Sequence, residues 1–273
     1  MFDPTDPSLE GPLRLGAFAS VLLVMALAEA LLPRRKRNFE RGRRWATNLI
    51  IAGIDTLALR LLFPIAAIGT AFAMQAKGFG LFNLTGWPAW LEGLIAFLAL
   101  DFAIYVQHVA SHKIPVLWRL HQVHHTDRDI DVTTAIRFHP VEIVLSMLYK
   151  MGIVALIGAP PLAVFLFEVV LNACAMFNHA NLNLPRRVDA LLRLVLVTPD
   201  MHRVHHSTEW RETDSNYGFN LSVWDRLFST YVPQPRRGHD GMVIGLGQYQ
   251  TDEPTRLGWS LLLPFRSKQV SRN

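Results

Sequence analysis

Ten of the eleven histidines in this chain fall between His108 and His206, and three windows of five residues hold eight of them. The windows are His108 and His112; His121, His124 and His125; and His202, His205 and His206. Residues three and four apart share a helix face, so each window aims two or three imidazoles the same way, which is the spacing of metal ligands. His179 adds another imidazole, with Asn183 four residues later on the same potential face. The same periodicity carried back from His108 brings Asp101 and Tyr105 onto its face, where a carboxylate can orient an imidazole from behind. A single histidine is more often a hydrogen-bonded core residue than a ligand. That reading would have to account for eight clustered residues at once. Zinc takes about four ligands and non-haem iron at most about six, so eight or nine imidazoles imply two metals. Imidazole suits iron, zinc, copper and nickel alike, so ligand type leaves the element open.

The elements that must hold these side chains are membrane helices. Of 273 residues, 51% are apolar and 18% charged, a balance unlike that of a soluble domain. A span needs about 20 mostly apolar residues, and Leu15 to Leu32, Leu49 to Met74 and Trp90 to Val109 come near that. Val141 to Phe177 is a longer apolar run that Gly158-Ala159-Pro160-Pro161 breaks into a helical hairpin. Asp3, Asp6 and Glu10 precede the first span, whereas Arg34, Arg35, Lys36, Arg37, Arg41, Arg43 and Arg44 follow it. Seven cations in a short loop predict that the loop is cytoplasmic and that the first span is retained as an anchor. Five spans then bring every histidine cluster to the cytoplasmic side. The cations are read chiefly as topology signals, and Asp127, Asp129, Asp131 and Glu142 as mostly solvated carboxylates in a crowded loop. Trp259 to Phe265, flanked by Arg256, Arg266 and Lys268, is too short to span and reads as an interfacial anchor.

The predicted fold is therefore all-α: a polytopic membrane helix bundle with a cytoplasmic histidine-rich helical cap. Residues 1–97 carry N-terminal spans and the basic loop, 98–231 the histidine region with its hairpin, and 232–273 a cytoplasmic or interfacial tail. One cysteine, Cys174, excludes a disulfide framework and a cysteine-built cluster site. A net charge of +5, scattered along the chain, does not suggest a nucleic-acid binder. The sequence has no His-Glu-x-x-His, no phosphate-binding glycine loop, no Gly-x-Ser-x-Gly elbow, and none of the Glu-x-x-His pairs of soluble di-iron bundles.

Longer strings around the histidines carry a resemblance. His108-x-x-x-His112, Leu117-Trp118-Arg119-Leu120-His121-Gln122-Val123-His124-His125 and Thr198-Pro199-Asp200-Met201-His202-Arg203-Val204-His205-His206-Ser207 resemble the three histidine boxes of the fatty acid hydroxylase/sterol desaturase superfamily. Arg137-Phe138-His139-Pro140-x-Glu142, Phe177-Asn178-His179, Asn216-Tyr217-Gly218 and Trp224-Asp225-Arg226-Leu227-Phe228 extend the likeness from about Leu98 to Tyr231. The resemblance implies a membrane-embedded di-iron enzyme that uses O2 to hydroxylate or desaturate a lipid. The ligands would be His108, His112, His121, His124, His125, His179, His202, His205 and His206. His139 and Asn183, with Asp101 and Tyr105, would support them from behind. The chain departs from the pattern at Val109, where members often have arginine, at Ser229, often glycine, and at Asn183, a histidine in some members.

No flavin or nicotinamide fingerprint and no cysteine cluster is present in the sequence, so electrons are expected from an external carrier, a ferredoxin or a b-type cytochrome with its reductase. Arg128, Arg186, Arg187, Arg193, Arg211, Arg236 and Arg237 are expected to display the positive charge that an acidic carrier would meet. A membrane metal transporter or metal-binding protein is the main alternative, although transporters tend to place ligands at the midplane on broken helices rather than at span ends. A membrane zinc hydrolase would need an open metal position and a glutamate base, and suits the histidine excess less well.

Overall fold

The computed structural model describes residues 7–266, so Asp3, Asp6 and Lys268 lie outside the described residues. Within them the chain is helical, with three isolated β-bridges and no strand. The long elements are α1 (Pro7–Leu31), α2 (Arg41–Leu62), α3 (Ala66–Ala76), α5 (Ala89–Lys113), α7 (Pro140–Ile157) and α8 (Pro161–His179), with a single turn, α4 (Phe82–Thr85), before α5. Five candidate spans result: Leu9–Leu31, Arg41–Ala76, Ala89–Lys113, Pro140–Ile157 and Pro161–His179. The chain is thus an all-α, multi-pass membrane bundle. The second apolar stretch is two helices rather than one, because Pro64 lacks the N–H that would continue α2, and Ala66 restarts at φ 43°. The hairpin turns where the sequence breaks, with Gly158 left-handed at φ 65°. A Cβ at Gly80, itself at φ 105°, would lie 2.4 Å from the Gly158 backbone, so the α3–α5 connection can close there only through glycine.

Small residues bring the helices together. Ala67, Ala71, Ala96 and Ala163 are buried beside Leu100, Val164 and Phe167, whereas Leu27, Leu61, Leu84, Trp90 and Leu156 face outward as a lipid-facing surface requires. The ends of α1 and α8 meet: Arg34 N–H donates to Asn181 O at 3.0 Å, and Asn183 N–H to Leu32 O at 2.8 Å. The start of α2, the end of α5 and the start of α7 reach the same end of the bundle. There a cap forms from α6 (Pro115–His125), the 126–139 loop, α9 (Arg186–Leu192), α10 (Pro199–His205), α11 (Trp210–Thr213), α12 (Val223–Leu227) and the C-terminal segment.

The cap corrects several expectations. Asp127, Asp129, Asp131 and Glu142 are buried rather than solvated, because the basic loop enters the cap to meet three of them, two through a cation and Asp129 through backbone N–H groups. Arg44 bridges Asp127 and Asp131, and the backbone N–H groups of Asn38 and Phe39 donate to Asp129. Arg34 reaches Asp200 and Asp240, Arg35 the carbonyls of His239 and Met242, and Arg37 and Arg41 the buried Glu29. Five of the seven loop cations therefore make tertiary bonds beyond any role in topology. Trp259 and Leu263 pack against Val123 of α6, so the short C-terminal run belongs to the cap core, and Leu262 and Phe265 are its exposed members. Arg128 and Arg193 are buried and bonded internally, whereas Arg186, Arg187, Arg211, Arg236 and Arg237 remain exposed.

Candidate metal centre

Nine histidines from four helices meet beneath the cap in two groups. His108, His112, His121, His125 and His205 form one, and His124, His179, His202 and His206 the other; within each group the candidate ligand atoms lie within 4.8 Å of one another, and every member is buried. The sequence windows do not map one to one onto these groups. His121 and His125, four apart on α6, enter the first group, and His124 turns into the second. Likewise His202 and His206 enter the second group while His205 turns back to the first. A helix advances about 100° per residue, so positions i and i+4 diverge by about 40° while i+3 departs to the other side. The His-x-x-His-His string thereby contributes to both groups at once.

Hydrogen bonds set the tautomers. The Nδ1–H groups of His108, His205 and His179 donate to the carbonyls of Tyr217 at 2.7 Å, Ser215 at 2.6 Å and Ala175 at 2.7 Å. A carbonyl can only accept, so these rings carry their proton on Nδ1 and present Nε2 as a lone pair. His121 Nδ1 lies 2.6 Å from Glu142 Oε1. Nε2 of His108, His121 and His205 has no partner despite full burial. In the second group His179 Nε2 lies 3.1 Å from Nε2 of both His124 and His202. Buried nitrogens without a donor or acceptor are costly, and converging lone pairs repel, so this donor set fits a pair of cations. Burial first, then neighbouring imidazoles, pushes the His124, His125, His202 and His206 pKa values well below the usual histidine range, and burial takes His205 to about 3. The rings are neutral at physiological pH, the form that coordinates metal.

The four residues expected behind the ligands sit elsewhere. Asp101 accepts from Trp224 Nε1 at 2.8 Å, because α12 packs across that face of α5. Tyr105 OH pairs with Thr230 Oγ1 at 3.0 Å. His139 caps α7, accepting from Val141 N–H, and its Nε2–H donates to Leu261 O at 3.1 Å. Asn183 is exposed. Their places are taken by Glu142 and the three carbonyls, and by Phe138, which stacks on His124 at 4.5 Å and 6°. Glu142 and Phe138 lie in the Arg137-to-Glu142 string, but no helical spacing links them to any of the nine clustered histidines. Ser229, where the resemblance leads one to expect glycine, occupies the left-handed region at φ 58°.

A cavity of about 380 Å³ reaches His108 and His121 from between α1, α2, α5, α7 and α8, lined by Phe18, Leu59, Ile104, Ile143, Met147, Leu171 and Phe219 together with several polar groups. A larger depression of about 870 Å³ is lined by Arg34, Asn183, Arg186, Asp200 and their neighbours and touches none of the nine histidines. The smaller space joins the membrane helices to the imidazoles. Glu142→Gln keeps the shape of the side chain but removes the charge behind His121, and is expected to weaken metal binding about 10- to 100-fold in a chelator competition. Unchanged affinity would remove Glu142 from the site.

Comparisons with known proteins point the same way. A model of the fatty acid hydroxylase family matches residues 93–230. Ornithine lipid hydroxylase OlsE of Rhizobium tropici is 30% identical over 232 residues, 80% of this chain and 67% of that protein. Alkylglycerol monooxygenase of Homo sapiens is 31% identical over 213 residues, 78% of this chain and 45% of that protein. Cholesterol 25-hydroxylase of Homo sapiens is 28% identical over 139 residues, 50% of each chain. The chain thus spans two thirds of the first of these relatives and half or less of the other two. No solved structure matches it significantly.

Proposed function

The chain belongs to the fatty acid hydroxylase family, and from that premise we propose that it is a lipid oxidoreductase in which the nine clustered histidines hold two iron ions and O2 is the co-substrate. The observation that carries this reading is the pair of buried imidazole groups, with the unpartnered Nε2 atoms of His108, His121 and His205, at the head of a cavity between the membrane helices. When bound, the two irons supply reductive activation of O2 and the oxidising power to break an unactivated C–H bond, ending in hydroxylation or desaturation.

The protein's own residues do the rest. The carbonyls of Tyr217, Ser215 and Ala175 and the Glu142 carboxylate fix ring orientation and tautomer. Phe138 and the cap exclude water from the reacting end, and the cavity admits an apolar segment from the bilayer side. That the relatives are named as lipid hydroxylases and monooxygenases supports an oxygenase over a metal transporter.

Electrons come from an external carrier, a ferredoxin or a b-type cytochrome with its reductase, meeting the cap where Arg186, Arg187, Arg211, Arg236 and Arg237 are exposed. Purified protein is expected to contain two irons per chain, and lipid mass spectrometry of reconstituted protein is expected to show an oxidised lipid only when O2, NAD(P)H, reductase and carrier are all supplied. Stoichiometric zinc with negligible iron after growth in iron-rich medium, or sustained oxidation without reductant, would overturn the proposal.

The site faces the cytoplasm in this reading, supported by the seven cations from Arg34 to Arg44, which span the α1–α2 connection and the first turn of α2 at the histidine end of the bundle. Reporters fused after Arg44 of a truncated chain and after Asn273 are expected to give the same cytoplasmic signal. Opposite signals would reject the five-span topology.

A further inference from the structure

The side chains that line the cavity beside the histidines include two acids that the protein leaves incompletely paired. Asp55, midway along α2, and Glu142, in the first turn of α7, both line the space that reaches His108 and His121, and each is only 7% exposed. Glu142 Oε1 is taken by His121 Nδ1, but its Oε2 has no hydrogen-bond partner, and neither does Asp55 Oδ1.

Other acids buried in the spans each receive at least one side-chain donor. Among the described residues, Glu29 receives Arg37, Arg41 and two backbone N–H groups; Asp101 receives Trp224; and Glu168 receives Lys150 at 2.5 Å and Arg14. Among the described residues Asp55 receives no cation, and its Oδ1 receives no donor. The cations that line the cavity, Arg14 and Lys150, are already engaged by Glu168. An unpaired acid at membrane depth is expensive, and such residues mark a binding or transport role by default. What would complete this pair is a compact cation with several N–H donors, entering by the route the lipid takes.

We propose that Asp55, with Glu142 beside it, is an ammonium subsite, and that the lipid this enzyme takes is an amine-bearing one whose charged end enters the cavity next to the histidines. The statement that this lipid is oxidised rests on the oxygenase reading; the subsite itself does not. The ammonium would bridge the two carboxylates, leaving the apolar part of the lipid along Ile104, Met147 and Leu171.

The test titrates the purified metal-loaded protein in nanodiscs with a long-chain primary alkylamine, cationic at neutral pH, and with its N-acetylated form, which keeps the chain but loses the charge. Binding is read by thermal stabilisation, independently of turnover. Wild type is expected to bind the ammonium form at least tenfold more tightly. Asp55→Asn, which has nearly the same shape, is expected to bring the two affinities together, and Asp55→Glu to restore the difference. Equal affinities in wild type, or a preference that survives Asp55→Asn, would overturn the subsite. The wild-type comparison decides the matter even if a variant fails to fold. If the protein oxidises an uncharged alkylglycerol and shows no amine preference, the subsite falls and the oxygenase stands. If the preference is measured and no lipid is oxidised, the reverse holds.

Discussion

Alanine at His124 is expected to cost the protein most of one iron and to lower turnover about a hundredfold or more, a larger loss of metal than alanine at His205. The asymmetry comes from the donor count. His124 belongs to the group of four and His205 to the group of five, so the first substitution leaves three imidazoles and the second leaves four. Four imidazoles still hold a metal more firmly than three, which leave more positions to be filled by solvent or substrate. His205→Ala is therefore expected to retain more iron while turnover falls, since the ring also ties α10 to the Ser215 carbonyl. His239 is the control. It is buried, and burial lowers its pKa to about 4, yet it lies beside Asp200 and outside both groups. His239→Ala is expected to keep both irons. Metal analysis and turnover on the three variants decide the matter: unchanged iron in His124→Ala, or loss in His239→Ala equal to that in His124→Ala, would break the ligand assignment.

The ligand candidates were legible because their signal is local. Spacings of three and four within one helix do not depend on what the helix packs against, so the three boxes and the apolar spans stand out from residue types alone. Their division between two centres was not legible, since it depends on how α5, α6, α8 and α10 pack around one point. Asp101 shows the limit of reading faces. It does share a face of α5 with His108, but Trp224, 123 residues away, takes the carboxylate. Glu142 shows the converse, standing 21 residues from His121 with no periodicity to announce the contact. The acidic loop misled for a related reason. Four carboxylates in one stretch look solvated until a cation from 83 residues earlier is inserted among them, and a basic loop that reads as a topology signal hides that second use. The break at Pro64 was visible as a proline within an apolar stretch, but hydropathy summed over a window does not register it.

That inserted cation carries the largest expected effect outside the ligands. Arg44 donates from Nε to Asp127 Oδ1 at 2.6 Å, from Nη2 to Asp127 Oδ2 at 3.0 Å and from Nη1 to Asp131 Oδ2 at 2.9 Å, with the Asp129 carbonyl as a further acceptor. All three side chains are almost fully buried. Asp127 follows His125 by two residues, and Arg137 clamps the same turn through Val123 O and Thr126 Oγ1. The network thus holds the end of α6 from which His124 and His125 enter the two groups. Removing one partner of a buried pair strands the other charge, so Arg44→Ala is expected to destabilise the cap by about 3–5 kcal/mol and to loosen iron at both centres. Arg44→Lys keeps the charge but not the two-pronged bond, and is expected to fall between wild type and alanine. Burial raises the Asp127 pKa, but Arg44 outweighs it and, with Arg137, holds the carboxyl at about 2. A folded value depressed below the unfolded value of about 3.9 contributes stability that is fully present above the unfolded value and is lost as pH falls toward the folded one. The wild-type cap is therefore expected to hold from neutral pH down to about 5 and to weaken between about 4 and 2, while Arg44→Ala, lacking the pair, shows a smaller loss over that window. Thermal unfolding in detergent with iron release as a second readout tests this, and an Arg44→Ala protein with wild-type stability and two retained irons would show that the buried pair does not position α6.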